Sequence, residues 1–399
     1  MSKATLGFSH YMLFDLSNPS YGMLCVFHQH VCLTFPADAA ANKQELKQNK
    51  KPVCDFADTR SVVCELEGDI RIHGNSSSIL SASSSPASWQ MKPHPRKDGP
   101  NALSHVTQIS VTSFTADGDA PPRCAVSSST PAIVFSTGGY MGNPFHDFID
   151  VLILLFITSF QFDGEVRFLV GDIAPWWIQK YEPILARLSR HDIVDLNRDD
   201  VVRCFPRVIV GLRFHKEMSI DPSRTQTGLS MLDFGRFVRR SFGLRRESAT
   251  KLGADRDKKP RLLIIARRAT RVLENVAEVA RAARGLGFEV VVAEAEAEAG
   301  RKTNLTAFAR LVNSCDGMMG VHGAGLANFV FLPMNTTLSQ VVPLGQLDEI
   351  ARVDFGAPAE DMEMKYLQYG ISDEESTRCS KIPRPSQNKV GLLADLCTY

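Results

Sequence analysis

Four residues, His322-Gly323-Ala324-Gly325, form a turn of small residues that opens with one imidazole. The stretch before it, Gly317 to Val321, is short and apolar like a buried strand, and Leu326 to Leu332 after it can start a helix. Strand, small turn and helix start together make an anion pocket. The backbone can approach a phosphate there, and the free N–H groups of the first helical turn face it. Arg267, Arg268 and Arg271 directly follow a second apolar run, Leu262 to Ala266, and their planar guanidinium forks match the oxygens of a diphosphate. Each feature alone reads equally as a tight connection or a solvated basic loop. Both belong to one half of the chain whose strands should run parallel, so they should open on the same sheet edge.

A third constellation lies in the other half, where Gly142-Asn143-Pro144-Phe145-His146-Asp147-Phe148-Ile149-Asp150 leads into an apolar stretch. His146 and Asp150 are four apart and share a helical face, where a carboxylate can orient an imidazole. At a helix N-terminus the dipole favours the neutral, proton-accepting ring. His146 is therefore the leading candidate for a general base, Asp150 its orienting partner and Asp147 the alternative base. The plainer reading is capping by Asn143 or Asp147, with His146 a packed bystander.

Other features carry less chemistry. Asp117-Gly118-Asp119 and Asp255-Arg256-Asp257 lie in polar surroundings with no apolar strand before them, so neither is expected to hold a metal. Trp176-Trp177 is expected to pack a helix on a sheet. A nicotinamide dehydrogenase would place Gly-x-Gly-x-x-Gly after its first strand, whereas arginines follow 262–266 here and the Gly138 to Gly142 turn has other spacing.

These residues must be positioned by alternating strands and helices. The pattern predicts strands at 132–136, 166–170, 193–196 and 207–212, a buried helix over 148–160 and another over 176–188. After the charged run between Gly243 and Pro260 it predicts strands at 262–266, 288–293, 317–321 and 338–342. The helices of this second half are expected at 274–286 and 305–314. Strand–helix alternation implies parallel sheets covered by helices. The stretch 76–122, rich in Ser, Pro and Gly, reads as short strands and loops.

With 399 residues, 44% hydrophobic and 22% charged, the composition is that of a globular protein of two ordinary domains. A net charge of +1 gives no reason to expect nucleic acid or a membrane surface as partner. Nine cysteines include no Cys-x-x-Cys pair, which argues against structural zinc. Sequons at Asn75, Asn304 and Asn335 lean toward a secretory compartment, where Cys54 and Cys64 are the expected local disulfide. Residues 11–35 are interrupted by Asp15, Pro19, His28 and His30, so no spanning helix or signal peptide is recognisable.

Ordered motifs from Cys54 to Thr377 resemble plant glycosyltransferase family 61. They are Cys54-Asp55, Arg60-Ser61, Cys64-Glu65, Gly68-Asp69-Ile70-Arg71, Trp89-Gln90-Met91-Lys92-Pro93, and Pro131 through Tyr140. Gly142-Asn143 with His146-Asp147-Phe148, Val321 through Leu326, Gln340-Val341-Val342-Pro343, and Tyr369-Gly370-Ile371 to Glu375-Ser376 continue the series. The resemblance implies an α/β GT-B fold, two Rossmann-like domains facing each other across a cleft. Residues 52–245 would form the acceptor side, 246–260 a linker and 261–377 the UDP-sugar side, with 1–51 an N-terminal segment or stalk and 378–399 an atypical tail. The implied activity is inverting transfer of arabinofuranose or xylose from a UDP-sugar to xylan, metal-independent and without a tightly bound cofactor. Arg267, Arg268, Arg271, His322, Gly323, Ala324 and Gly325 would hold the donor. The setting implied is the Golgi, as a type II membrane protein in a complex with other glycosyltransferases. A truncated, non-catalytic member that binds sugar nucleotide or glycan is the alternative, as is transfer to N-glycans or secreted proteins.

Overall fold

In the computed structural model the described residues are 21–26, 31–36, 54–83, 86–115, 120–250, 258–268, 270–294 and 304–376. The chain divides into two compact units, Met1–Pro52 and Val53–Tyr399. In the first, β1 (Tyr21–Val26) and β2 (Val31–Pro36) form an antiparallel hairpin. Both Asp-x-Asp triplets, the polar 42–51 stretch and the 378–399 tail lie outside the described residues.

The second unit contains two sheets. The larger has ten strands, from β3 (Cys54–Asp55) to β12 (Val202–Val210), in the order β11-β10-β9-β12-β4-β5-β7-β6, with β3 on β4 and β8 (Val126–Ser127) on β12. Its parallel part is β9 (Ala132–Ser136), β10 (Arg167–Gly171), β11 (Val194–Asp195) and β12. β4 (Val63–His73), β5 (Ser78–Ala82), β6 (Ser88–Met91) and β7 (Ile109–Phe114) add mixed, mainly antiparallel pairing. The residues read as loops and short strands thus extend the sheet. Cys54 and Cys64 face each other across β3 and β4 in a disulfide, and a second one joins Cys124 to Cys204. The second pair is 80 residues apart in sequence, a separation that no local signal reveals. Cys315 is free and buried.

The smaller sheet is wholly parallel, β14-β13-β15-β16-β17, built from β13 (Arg261–Ala266), β14 (Glu289–Glu294), β15 (Gly317–Val321), β16 (Thr337–Val342) and β17 (Lys365–Gly370). In chain order this is 2-1-3-4-5, so the connections leaving β13 and β15 diverge to opposite sides. Such a divergence opens a crevice at the carboxyl ends of the two strands. β13 runs into Arg267 there, and β15 runs into His322. The larger sheet has the same feature between β9 and β12, with Thr137 onward leaving the carboxyl end of β9.

Helix α1 (Pro144–Phe162) follows β9. Its 19 residues are long and apolar enough to cross a membrane, yet here it is a core helix, with Phe148 to Phe156 almost wholly buried. α2 (Pro175–Leu188) and α3 (Met231–Ser241) pack beside it, and α4 (Val276–Gly285) and α5 (Leu305–Asn313) cover the smaller sheet. Phe148 meets Phe234 of α3 at 6.3 Å and Phe331 at 6.0 Å, edge to face, so one apolar core runs between the sheets. Residues 324–331 form a 3-10 helix instead of the expected start of an α-helix, and the Leu326 N–H is already taken by Gly323 O at 2.9 Å. Part of the charged run is also docked: Arg246 and the Thr250 N–H both bond Asp316 Oδ1.

Candidate functional site

A cavity of about 580 Å³ opens where these strand ends meet. The loop and first turn after β9 line one side with Tyr140, Met141, Gly142, Asn143, Phe145 and His146. Arg267 and Arg271 after β13, and His322, Gly323 and Ala324 after β15, line another. Asp354 and Phe355 complete it from α6, a helix built of Asp348–Ala351, a π-helical turn Arg352–Gly356 and Ala357–Asp361.

Asn143 caps α1 by accepting from the Phe145 N–H at 3.1 Å. The next segment, Asp147–Leu152, is a π-helical turn, so both helices that touch the cavity carry one of these rare wide turns there. His146 Nδ1 lies 2.9 Å from Asp150 Oδ2, and Arg96 Nε reaches both oxygens of that carboxylate at 2.9 and 2.7 Å. Burial would push the Asp150 carboxyl up, but His146 and Arg96 outweigh it and hold it below the ordinary range. An ionised carboxylate only accepts, so the neutral His146 ring carries its proton on Nδ1 and keeps a lone pair on Nε2. Tyr140 packs on the imidazole with ring centroids 4.5 Å apart.

Asp147 is elsewhere. Its carboxylate accepts from Gly142 N at 2.9 Å, Trp177 Nε1 at 2.8 Å and Tyr181 Oη at 2.8 Å, with Lys180 Nζ 3.6 Å away. It is 1% exposed and outside the cavity lining. Asp147 as a base is therefore corrected: it points into the core and ties α1 to α2, which also explains the packing of Trp177.

Across the cavity, Arg267 Nη1 is buried and has no hydrogen-bond partner among the described residues. Burial, then Arg271, lowers the Arg267 pKa. Two guanidiniums side by side on one cavity wall can together bind one anion. Gly323 lets them approach. Its φ is +143°, a conformation that favours glycine, and a Cβ there would lie 2.2 Å from Arg267 Nη1 and displace that guanidinium from its present place. Arg268 is a second correction. It pairs with Glu294 on β14, is exposed, and takes no part in the cavity. Gly325 is the third: it is buried below the lining, and its carbonyl accepts from Asn328 Nδ2 at 3.0 Å.

Asp354 and Arg96 were not singled out by the sequence reading. Burial pushes the Asp354 carboxyl up, with Arg96, His146 and Arg60 opposing. Nothing local in Arg352-Val353-Asp354-Phe355 marks it, because its neighbours come from distant segments. Among the described residues no group of three His, Cys, Asp or Glu is placed to hold a metal ion.

His94 lies behind this machinery, 2% exposed, with Nε2 buried and unpaired among the described residues. Burial chiefly lowers its pKa from 6.5 to about 4. The folded chain thus keeps a neutral ring where the unfolded chain takes up a proton, so stability is full above pH 6.5 and falls with pH until about 4. Going from pH 7 to pH 5 should cost about 2 kcal/mol through this residue alone. Urea midpoints at both pH values check it: His94→Gln should lose less stability than wild type by that amount. Equal losses would remove His94 as the acid-sensitive group.

The Glycosyltransferase 61 family profile matches residues 134–339. The chain is 47% identical to the rice (Oryza sativa subsp. japonica) alpha-1,3-arabinosyltransferase XAT2 over 84% of its own length and 57% of the rice protein's. It is 44% identical to the rice beta-1,2-xylosyltransferase XYXT1, covering 83% of this chain and 74% of that one. With the Arabidopsis thaliana xylan glycosyltransferase MUCI21 the identity is 33%, over 82% of this chain and 69% of that protein.

Proposed function

The chain belongs to the glycosyltransferase 61 family, and from that premise we propose that it is an inverting pentosyltransferase carrying arabinofuranose or xylose from a UDP-sugar to a xylan-type polysaccharide. One observation carries the reading: an oriented His146–Asp150 pair and the Arg267–Arg271 pair face one cavity of nucleotide-sugar size. We read the two sheets as the halves of a GT-B fold, residues 52–245 on the acceptor side and 261–377 on the donor side. The relatives' printed activities support the sugar class, and the MUCI21 name supports the acceptor.

In this mechanism an acceptor hydroxyl gives its proton to His146 Nε2 as its oxygen bonds to the anomeric carbon. The bond from that carbon to the UDP oxygen breaks on the opposite face, which inverts the configuration. Arg267 and Arg271 take up the charge that grows on the diphosphate, so the protein's own cations supply what a metal would otherwise provide. A Golgi setting, with anchoring as a type II membrane protein, accompanies this proposal.

Purified chain incubated with UDP-arabinofuranose or UDP-xylose and xylan oligomers should yield products one pentose heavier by mass spectrometry. UDP binding without transfer to any acceptor would leave a sugar-nucleotide-binding protein instead. Calorimetric titration tests the donor side separately. Arg267→Ala or Arg271→Ala should weaken UDP binding roughly 10- to 100-fold, as expected for a lost charge-assisted contact. Arg268→Ala should leave it unchanged.

A further inference from the structure

Below the cavity, the side chains of His322, Gln340, Tyr366, Gln368 and Asp348 form an unbroken line. The Gln340 amide lies 2.6 Å from His322 Nδ1 at one end and 2.7 Å from Tyr366 Oη at the other. Tyr366 Oη is also 2.7 Å from Gln368 Oε1, and Gln368 Nε2 donates to Asp348 Oδ1 at 3.0 Å. Asp348 offers only acceptors, which fixes the Gln368 amide with its oxygen toward Tyr366. The phenol has one proton, and Gln368 takes it. Tyr366 Oη must then accept from Gln340, which requires the Gln340 nitrogen on the tyrosine side and its oxygen on the histidine side. The two ends of an amide are nearly isosteric, so this 180° turn moves no heavy atom appreciably. It also explains the 2.6 Å separation, which is short even for N–H···O and shorter still for a contact between two nitrogens.

We propose that Tyr366, Gln368 and Gln340 are positioning residues that hold the His322 proton on Nδ1, so that Nε2 presents a lone pair to the cavity and accepts a hydrogen bond from a hydroxyl of the bound sugar nucleotide. The ring lines the cavity, and Nε2 has no partner among the described residues. Burial, then Arg271 and Arg267, hold the imidazole neutral by lowering its pKa to about 4, so its tautomer decides what it recognises. A bare nitrogen repels phosphate oxygens. The two arginines therefore read the diphosphate and His322 reads a sugar hydroxyl, on the ribose or the pentose. This division of roles rests on the donor-site reading above; the tautomer itself does not.

Two measurements separate the parts. The ¹⁵N shifts of the His322 ring in histidine-labelled protein, assigned against His322→Gln, should show a protonated Nδ1 and a bare Nε2 in the free wild type. Tyr366→Phe should give mixed tautomers, and Gln340→Glu, which keeps an acceptor at Nδ1, should restore the single form. A protonated Nε2 in the wild type would overturn the relay, whatever binds. In titrations, Tyr366→Phe should weaken a hydroxyl-bearing ligand about tenfold and leave inorganic diphosphate unaffected. A loss already seen with UDP and absent with 2′-deoxy-UDP assigns the ribose 2′-hydroxyl, and a loss confined to UDP-xylose assigns the pentose. Equal weakening of diphosphate would overturn the hydroxyl role. If wild type binds none of these ligands, the donor-site reading fails while the ring shifts still decide the relay.

Discussion

His146→Ala is expected to lower kcat for pentosyl transfer by about 10²- to 10⁴-fold, with little change in UDP affinity or stability. The imidazole is 19% exposed at the cavity wall, and its hydrogen bond among the described residues is to Asp150, so its removal leaves no buried donor stranded there. Asp150 keeps Arg96 as a partner, and the Asp150–Arg96 pair should survive the substitution. Asp150→Asn should act in the same direction through the ring. An amide can offer its nitrogen to Nδ1, which pushes the proton to Nε2 and takes away the lone pair that the acceptor hydroxyl needs. Steady-state rates over UDP-xylose and xylan oligomers check this. Full turnover in His146→Ala would sink the assignment, and Asp354, whose carboxyl group also lines the cavity, would become the candidate base.

The smaller sheet was the most legible part of the fold. β13 and β15 are buried strands of a parallel sheet, and their near-continuous apolar runs, Leu262 to Ala266 and Gly317 to Val321, stand out without any alternation to decode, whereas β16 mixes Thr337, Ser339 and Gln340 with its apolar residues. β17 was missed for the opposite reason. It is an edge strand, and Lys365-Tyr366-Leu367-Gln368-Tyr369 leaves most of its side chains in solvent. β4 to β7 alternate weakly and become strands through their pairing with one another and, through β4, with β12. Within the site, Arg267 and Arg268 show how much a local rule can add. Consecutive residues leaving a strand point to opposite sides. One of the two had to turn from the cavity, and Arg268 turns to β14. Arg271 returns to it because its backbone takes the left-handed conformation, φ 52°, which no pattern in Ala-Thr-Arg-Val announces. Asp354, Arg96 and the Gln340–Tyr366 line are joined by tertiary packing alone, which a single sequence does not encode in any one window.

Asp147→Ala should destabilise the second unit by about 3–5 kcal/mol, a loss of fold and not of chemistry. The carboxylate receives three hydrogen bonds, from the Gly142 amide, the Trp177 indole and the Tyr181 phenol, beside the Lys180 ammonium. Trp177 and Tyr181 are each 1% exposed, so water cannot replace the missing acceptor without opening the α1–α2 contact. Tyr181 is held in its protonated form, burial and then Asp147 pushing its pKa well above the ordinary range, so its O–H remains a donor in search of an oxygen. Lys180 would lose the carboxylate it pairs with. Asp147→Asn should fall between: its oxygen can still accept from one or two donors, while its own N–H₂ meets another donor and the partner of Lys180 is gone. The measurement is chemical denaturation followed by circular dichroism, compared with His146→Ala one residue away. The two neighbours should separate cleanly, Asp147→Ala shifting the midpoint and His146→Ala the rate. An Asp147→Ala protein with a wild-type midpoint and no turnover would return this carboxylate to the reaction.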